Sequence, residues 1–226
     1  MIYNGFYIYK GDKEPIVINN DGKMLSFEMY GVQFSGPEFS DFSVWEEVSD
    51  SIKDRCEFTE VSILNKDITE LTLCNCSFEV YIPQIVVNIA TSEELCIIMN
   101  INYILGGERP EPKGGLDKDE VTLSMQLDEA IYMGKGDFFE MAFDKLYSQL
   151  QGKYYLKNCY GCLYSDYSIY GQTSFGGMQC HVENKENYLS VVDKVDFSNL
   201  ENFVYVQEIY LCDKYQRRIK GTGYRG

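Results

Sequence analysis

Four cysteines constrain this chain more than any other feature. Cys159-Tyr160-Gly161-Cys162 is a C-x-x-C with glycine in the turn, and Cys180 and Cys212 follow at a distance. A strand leading into such a turn aims two thiolates and nearby backbone N–H groups at one spot, as in a zinc knuckle. Zinc then needs two more ligands, usually from other segments. Cys180 follows Gly176-Gly177 near an expected strand start, and Cys212 closes an expected strand. The pattern predicts a structural Zn2+ on Cys159, Cys162, Cys180 and Cys212, tying three segments of the C-terminal part together. Two alternatives stay open: four reduced cysteines in a core, and His181 in place of Cys180 as ligand. A thioredoxin-like redox pair needs a helix after the second cysteine, and Leu163-Tyr164-Ser165-Asp166-Tyr167-Ser168 is a poor helix. A site with four cysteine ligands is closed, so its metal contributes to folding and carries no catalytic water.

The other four cysteines, Cys56, Cys74, Cys76 and Cys96, sit in or beside apolar strand patterns and read as small core residues. His181 is the one histidine. No His-x-x-x-His zinc site can form, and any nucleophile–histidine machinery must use His181 itself. On a strand it would face away from Cys180. Neither a G-x-x-x-x-G-K-[ST] loop nor a strand-led G-x-G-x-x-G is present.

The formal net charge is -15, from 35 acidic and 20 basic side chains. Such a chain is repelled by phosphate backbones and by anionic membrane surfaces, so nucleic acid and membrane are not expected partners. The plain reading of this charge is solubility, and the sharper one is a basic protein partner. The N-terminus lacks a charged segment followed by an apolar run, no apolar stretch approaches bilayer length, and a cytoplasmic location is expected.

Alternating apolar and polar residues predict strands at 2–9, 14–19, 24–34, 57–64, 68–74, 77–88, 94–105, 120–127 and 154–158, with others near 178–183 and 203–212. Asn20-Asp21-Gly22 marks a hairpin turn. Pro83 suggests an edge or bulge. Val44, Trp45, Val48 and Ile52 predict a short helix over 44–54. The principal helix is expected at about 138–150, with Asp137 as cap, Glu140 at the capping-box position, and Phe139, Ala142, Phe143, Leu146 and Leu150 as its apolar stripe. The glycine- and proline-rich stretch 106–115 is a subdomain joint or a hairpin loop, with 120–127 able to pair with 94–105.

The loop 165–177 has the composition of a catalytic or binding loop, with Asp166, Tyr167, Tyr170 and Gln172 between zinc ligands. Glu208 and Arg225 join it if the tail folds back. The plainer reading is a glycine-rich loop whose tyrosines pack and hydrogen-bond.

Several C-terminal motifs together resemble an uncharacterised bacterial domain-of-unknown-function family. They are Cys159-Tyr-Gly-Cys162, Tyr164-Ser-Asp-Tyr-Ser168, Phe175-Gly-Gly-Met-Gln-Cys180, Val206-Gln-Glu208, Leu211-Cys212 and Gly221-Thr-Gly-Tyr-Arg-Gly226. The resemblance is strongest over 137–226. It implies that 159–226 forms one unit, and it implies no activity, cofactor or catalytic residue.

The expected fold is α+β: mainly antiparallel β-sheet with one principal C-terminal helix and a zinc-knuckle-like C-terminal unit. Residues 1–115 form a β-rich N-terminal subdomain, and 116–226 the helix and cysteine-rich subdomain. The expected function is a non-catalytic binding protein with a structural zinc site, for example an immunity-type protein that neutralises a basic toxin. The alternative is an enzyme using the 165–177 loop with Glu208 and Arg225.

Overall fold

The computed structural model describes residues 1–45, 47–62, 69–109, 115–169 and 175–219. Strand accounts for 48% of the chain and helix for 16%, and the main sheet is antiparallel and curls into a half-barrel.

The chain opens as a meander of β1 (Ile2–Tyr9), β2 (Asp12–Asn20), β3 (Leu25–Met29) and β4 (Val32–Gly36). The segment expected as one strand at 24–34 is a hairpin. Tyr30 and Gly31 both have positive φ, 54° and 77°, and a two-residue turn of that shape matches the twist of its flanking strands. A tyrosine at the first turn position conceals it. At the preceding turn, Asp21 Oδ1 accepts the N–H groups of Lys23 and Met24 at 2.8 and 2.7 Å.

A 3-10 turn at Phe39–Asp41 leads into β5 (Ser43–Val44). The helix expected over 44–54 is reduced to α1 (Asp50–Lys53). Val44 is claimed by the sheet, where it pairs with Leu71, and tertiary pairing overrides the helical spacing. Then come β6 (Glu57–Ser62), β7 (Thr69–Cys74), β8 (Cys76–Asn88), β9 (Glu94–Leu105), β10 (Asp119–Leu127) and β11 (Ala130–Gly136). The sheet order is β11-β10-β9-β8-β1-β2-β3-β4-β5-β7-β6, with β12 (Tyr154–Leu156) added to β8. As the alternation suggested, β10 pairs with β9, from Asp119↔Leu105 to Met125↔Met99. Part of the glycine- and proline-rich stretch, 110–114, lies outside the described residues.

Long β8 serves two partners along one side. Its residues 77–81 pair with β1 and residues 86–88 with β12. Ile85 O accepts from Lys157 N on that side. By alternation Pro83 turns its nitrogen the same way, into the gap where no strand needs a donor.

Helix α2 (Phe139–Leu150) packs on β11 and β10. Its stripe of Phe139, Ala142, Phe143, Leu146 and Leu150 is buried, as the spacing predicts. The N-cap position falls on Phe138, without a side-chain cap, so Asp137 stands one residue too early. The helix lies so close to β11 that a Cβ at Gly134 would come within 1.9 Å of Ala142 O. Gly152, at φ 81°, follows its end.

The chain then builds a small unit against the sheet. It contains a 3-10 turn at Cys159–Gly161, β13 (Ser165–Asp166), β14 (Met178–Cys180), α3 (Lys185–Leu189), α4 (Lys194–Ser198) and β15 (Val204–Val206). Strands β13, β14 and β15 form a separate three-stranded sheet, which has a second apolar cluster around Tyr188 and Phe197. Among the described residues no helix is long and apolar enough to cross a membrane.

Candidate functional site

The C-x-x-C turn is built by its neighbours. Asn158 caps it, its side chain accepting Gly161 N–H at 3.2 Å, and Cys162 N–H returns to Cys159 O at 3.1 Å. Gly161 is glycine because space forbids a side chain: a Cβ would meet Tyr147 Oη at 2.2 Å and Leu156 O at 2.8 Å. Cys159 N–H donates to Tyr210 O, and Leu163 N–H to Gln216 O. Cys162 bridges to Arg217, so the last described segment is zipped onto the turn.

The other two cysteines arrive from separate elements. Cys180 ends β14, in register with Ser165 on one side and Val204 on the other. Cys212 begins a turn in which Tyr215 N–H returns to its carbonyl at 3.1 Å. Cys159, Cys180 and Cys212 line one cavity of about 410 Å3. The Cys162 and Cys212 thiols lie within electrostatic range of both Cys159 and Cys180. Burial pushes the Cys159 thiol upward, and the charges of Cys162, Cys180, Cys212 and Glu208 push it further. Cys180 is also raised, first by burial and then by Cys162 and Cys212, against a lowering backbone hydrogen bond from Val182. As the side chains stand, no group of three or more His, Cys, Asp or Glu among the described residues is arranged to hold a metal ion.

His181 points elsewhere. Its ring stacks on Tyr188 at 4.9 Å and 11°, with Phe197 and Phe203 beside it. It is fully buried, neither ring nitrogen has a hydrogen-bond partner, and burial lowers its pKa to about 4. A neutral imidazole in an aromatic pocket is the consequence.

Asp166 and Glu208 are sealed from solvent, with 2% and 0% exposure. Asp166 accepts from Tyr167 N–H at 3.0 Å and Tyr188 Oη at 3.1 Å, with Arg218 3.7 Å away. Glu208 accepts from Tyr167 Oη at 2.8 Å and Gly176 N–H at 2.9 Å. Tyr167 thus adjoins both carboxylates, while Tyr170 and Arg225 lie outside the described residues. A larger cavity, about 600 Å3, is lined by Tyr147, Tyr155, Tyr160, Tyr215 and Arg217 among others. Neither it nor the cysteine cavity is lined by Asp166 or Glu208.

One cluster had no local sequence signal. Glu38, Asp41 and Asp119 converge where the Phe39–Asp41 turn meets β10. Burial, and then the charge of Asp41, push the Glu38 carboxyl up to about 8, although Phe175 N–H donates to it at 3.1 Å. Burial also raises Asp41 and Asp119. Only the pairing of distant strands could have revealed it, because carboxylates are common throughout the chain.

A model of a family of unknown function, DUF6304, matches residues 1–165. The chain belongs to that family. The match covers the main sheet, α2 and the C-x-x-C turn. It overlaps the C-terminal motifs that carried the family resemblance only over 137–165, so the family extends over the N-terminal part and not chiefly over the tail. No curated protein and no solved structure matches the chain significantly.

Proposed function

We propose that the chain is a non-catalytic binding protein whose C-terminal unit is fixed by a structural zinc ion and whose partner is a basic protein. The observation that carries the non-catalytic reading is the sealing of Asp166 and Glu208. Both are enclosed by structural hydrogen bonds and reach neither of the two cavities. The net charge of -15 supports a basic partner. Acidic surfaces steer rapid association with basic proteins. An immunity-type protein that neutralises a basic toxin in the cytoplasm is a binder of this description.

The zinc reading rests on the donor set. Cys159, Cys162, Cys180 and Cys212 come from three segments to one neighbourhood, and burial with mutual repulsion keeps Cys159 and Cys180 protonated. A divalent cation reverses the sign of that repulsion, because it converts four competing thiolates into ligands. Zinc here would supply folding energy and no reactive water. The His181 ring is turned into the pocket of Tyr188, Phe197 and Phe203, which favours the all-cysteine set.

Affinity purification of the tagged chain from its own cells, with mass spectrometry of what is retained, tests the binding role. The expected result is a stoichiometric partner of basic isoelectric point released by raised salt. A stoichiometric acidic partner, or a small molecule turned over by the chain, contradicts it.

A further inference from the structure

We infer that a groove on the outer face of β4, β5 and β7 receives an arginine side chain of the basic partner. This inference rests on the binding role proposed above and names the surface that performs it.

Register makes the groove. Ser43 stands opposite Ser35 on one side and Thr72 on the other. Side chains alternate between faces along a strand. The intervening Phe34, Val44 and Leu73 belong to the apolar core, so the three hydroxyl residues share the outer face. A row of short side chains leaves a hollow, here of about 260 Å3. Hollows for small-molecule ligands run from roughly 300 to 1,000 Å3. The size suits one inserted side chain better than a nucleotide or cofactor.

The walls specify the charge of the occupant. Trp45 stands on one side and is 61% exposed, with Val61 and Met24 each 41% exposed nearby. Trp45, Val61 and Met24 together line one hollow, and exposed apolar side chains grouped in this way mark interaction sites. Asp41 and Glu70 also line the hollow. Ser43 Oγ lies 3.0 Å from Glu70 Oε2 and holds that carboxylate in place. The ion pairs among the described residues use other carboxylates, so no lysine or arginine answers Asp41 or Glu70 there. Burial first, and then the charges of Asp119 and Glu70, raise the Asp41 carboxyl, against a hydrogen bond with the Glu38 side chain, and a cation seated in the hollow opposes both charge effects. A guanidinium satisfies both features: its plane stacks on an indole, and its N–H fork pairs with carboxylates.

Trp45 is the only tryptophan, so its emission reports on this groove alone. The probe is a peptide of eight arginines, with an eight-glutamine peptide as control. Binding is followed by anisotropy of a labelled peptide, and location by Trp45 emission with the unlabelled one. The expected result is a shift and quenching of Trp45 emission that tracks binding. The pair Asp41→Asn, Glu70→Gln is expected to weaken affinity by about tenfold or more. The exposed pair Glu186→Gln, Glu201→Gln, which removes equal charge elsewhere, is expected to weaken it by about threefold or less. Trp45→Leu, at a position 61% exposed, should also weaken binding. Peptide binding with unchanged Trp45 emission, or equal losses from the two charge pairs, overturns the groove and leaves the basic-partner role standing. No peptide binding at physiological salt overturns both.

Discussion

Asn158 and Gln84, 74 residues apart, share a buried hydrogen bond of 2.8 Å from Asn158 Nδ2 to Gln84 Oε1. Gln84 belongs to β8, and its amide also donates to Ile209 O at 3.0 Å. One glutamine of the main sheet therefore holds both the residue that caps the C-x-x-C turn and the segment that precedes Cys212. Asn158→Ala leaves the buried Gln84 Oε1 without this donor, while Gly161 N–H keeps the Asn158 backbone carbonyl at 3.1 Å. Unsatisfied buried polar groups cost about 1–3 kcal/mol each. The variant is expected to lower the denaturant midpoint accordingly, with the slope of the transition unchanged.

Gly161→Ala inserts a methyl group against Tyr147 Oη and Leu156 O. Overpacking of this kind costs about 1–3 kcal/mol. Removing the hydroxyl with Tyr147→Phe relieves one of the two clashes. A double-mutant cycle on thermal unfolding is expected to give a favourable coupling. Additive losses would mean that the turn absorbs the methyl group by moving.

Stability should fall as pH rises through the neutral range, and Glu38 sets the window. Its carboxyl is raised from an ordinary value of 4.5 to about 8 by burial, and then by the charge of Asp41. A group raised in the folded state contributes stability that is complete below its unfolded pKa and lost as pH passes the folded one. The contribution is present near pH 4.5 and gone above about pH 8. Glu38→Gln keeps an acceptor for Phe175 N–H and removes the titration. Unfolding measured across this range should show a decline in the wild type that is flattened in the variant.

His181→Phe should keep or raise stability. The ring sits among Tyr188, Phe197 and Phe203 with both nitrogens unpartnered, so an apolar ring removes a desolvation cost of about 1–2 kcal/mol. If zinc binds through Cys180, this variant also retains a full complement of metal, whereas Cys180→Ser does not. Loss of zinc in His181→Phe would place the imidazole in the ligand set.

The strands of the main sheet were legible where alternation was clean. Expected 57–64, 68–74, 77–88 and 94–105 correspond to β6, β7, β8 and β9, apart from 63–68, which lie outside the described residues. Strand β11 was not legible, because Gly134 and Gly136 weaken its pattern, and those glycines exist so that α2 can lie on it. Helices α3 and α4 are five residues each, too short to show a period. The turn shared by Cys159 and Cys162 follows from their spacing, whereas the positions of Cys180 and Cys212 depend on β14 and on a turn far along the chain. The groove beside Trp45 was not legible, since it depends on Ser35, Ser43 and Thr72 falling in register across strands from distant segments.

Zinc content of the purified chain, measured alongside Cys159→Ser and Cys212→Ser, tests the central claim most directly. The account predicts one zinc per wild-type chain and substantial loss in both variants, with a less stable C-terminal unit. A wild type purified without zinc, or full occupancy in both variants, contradicts it.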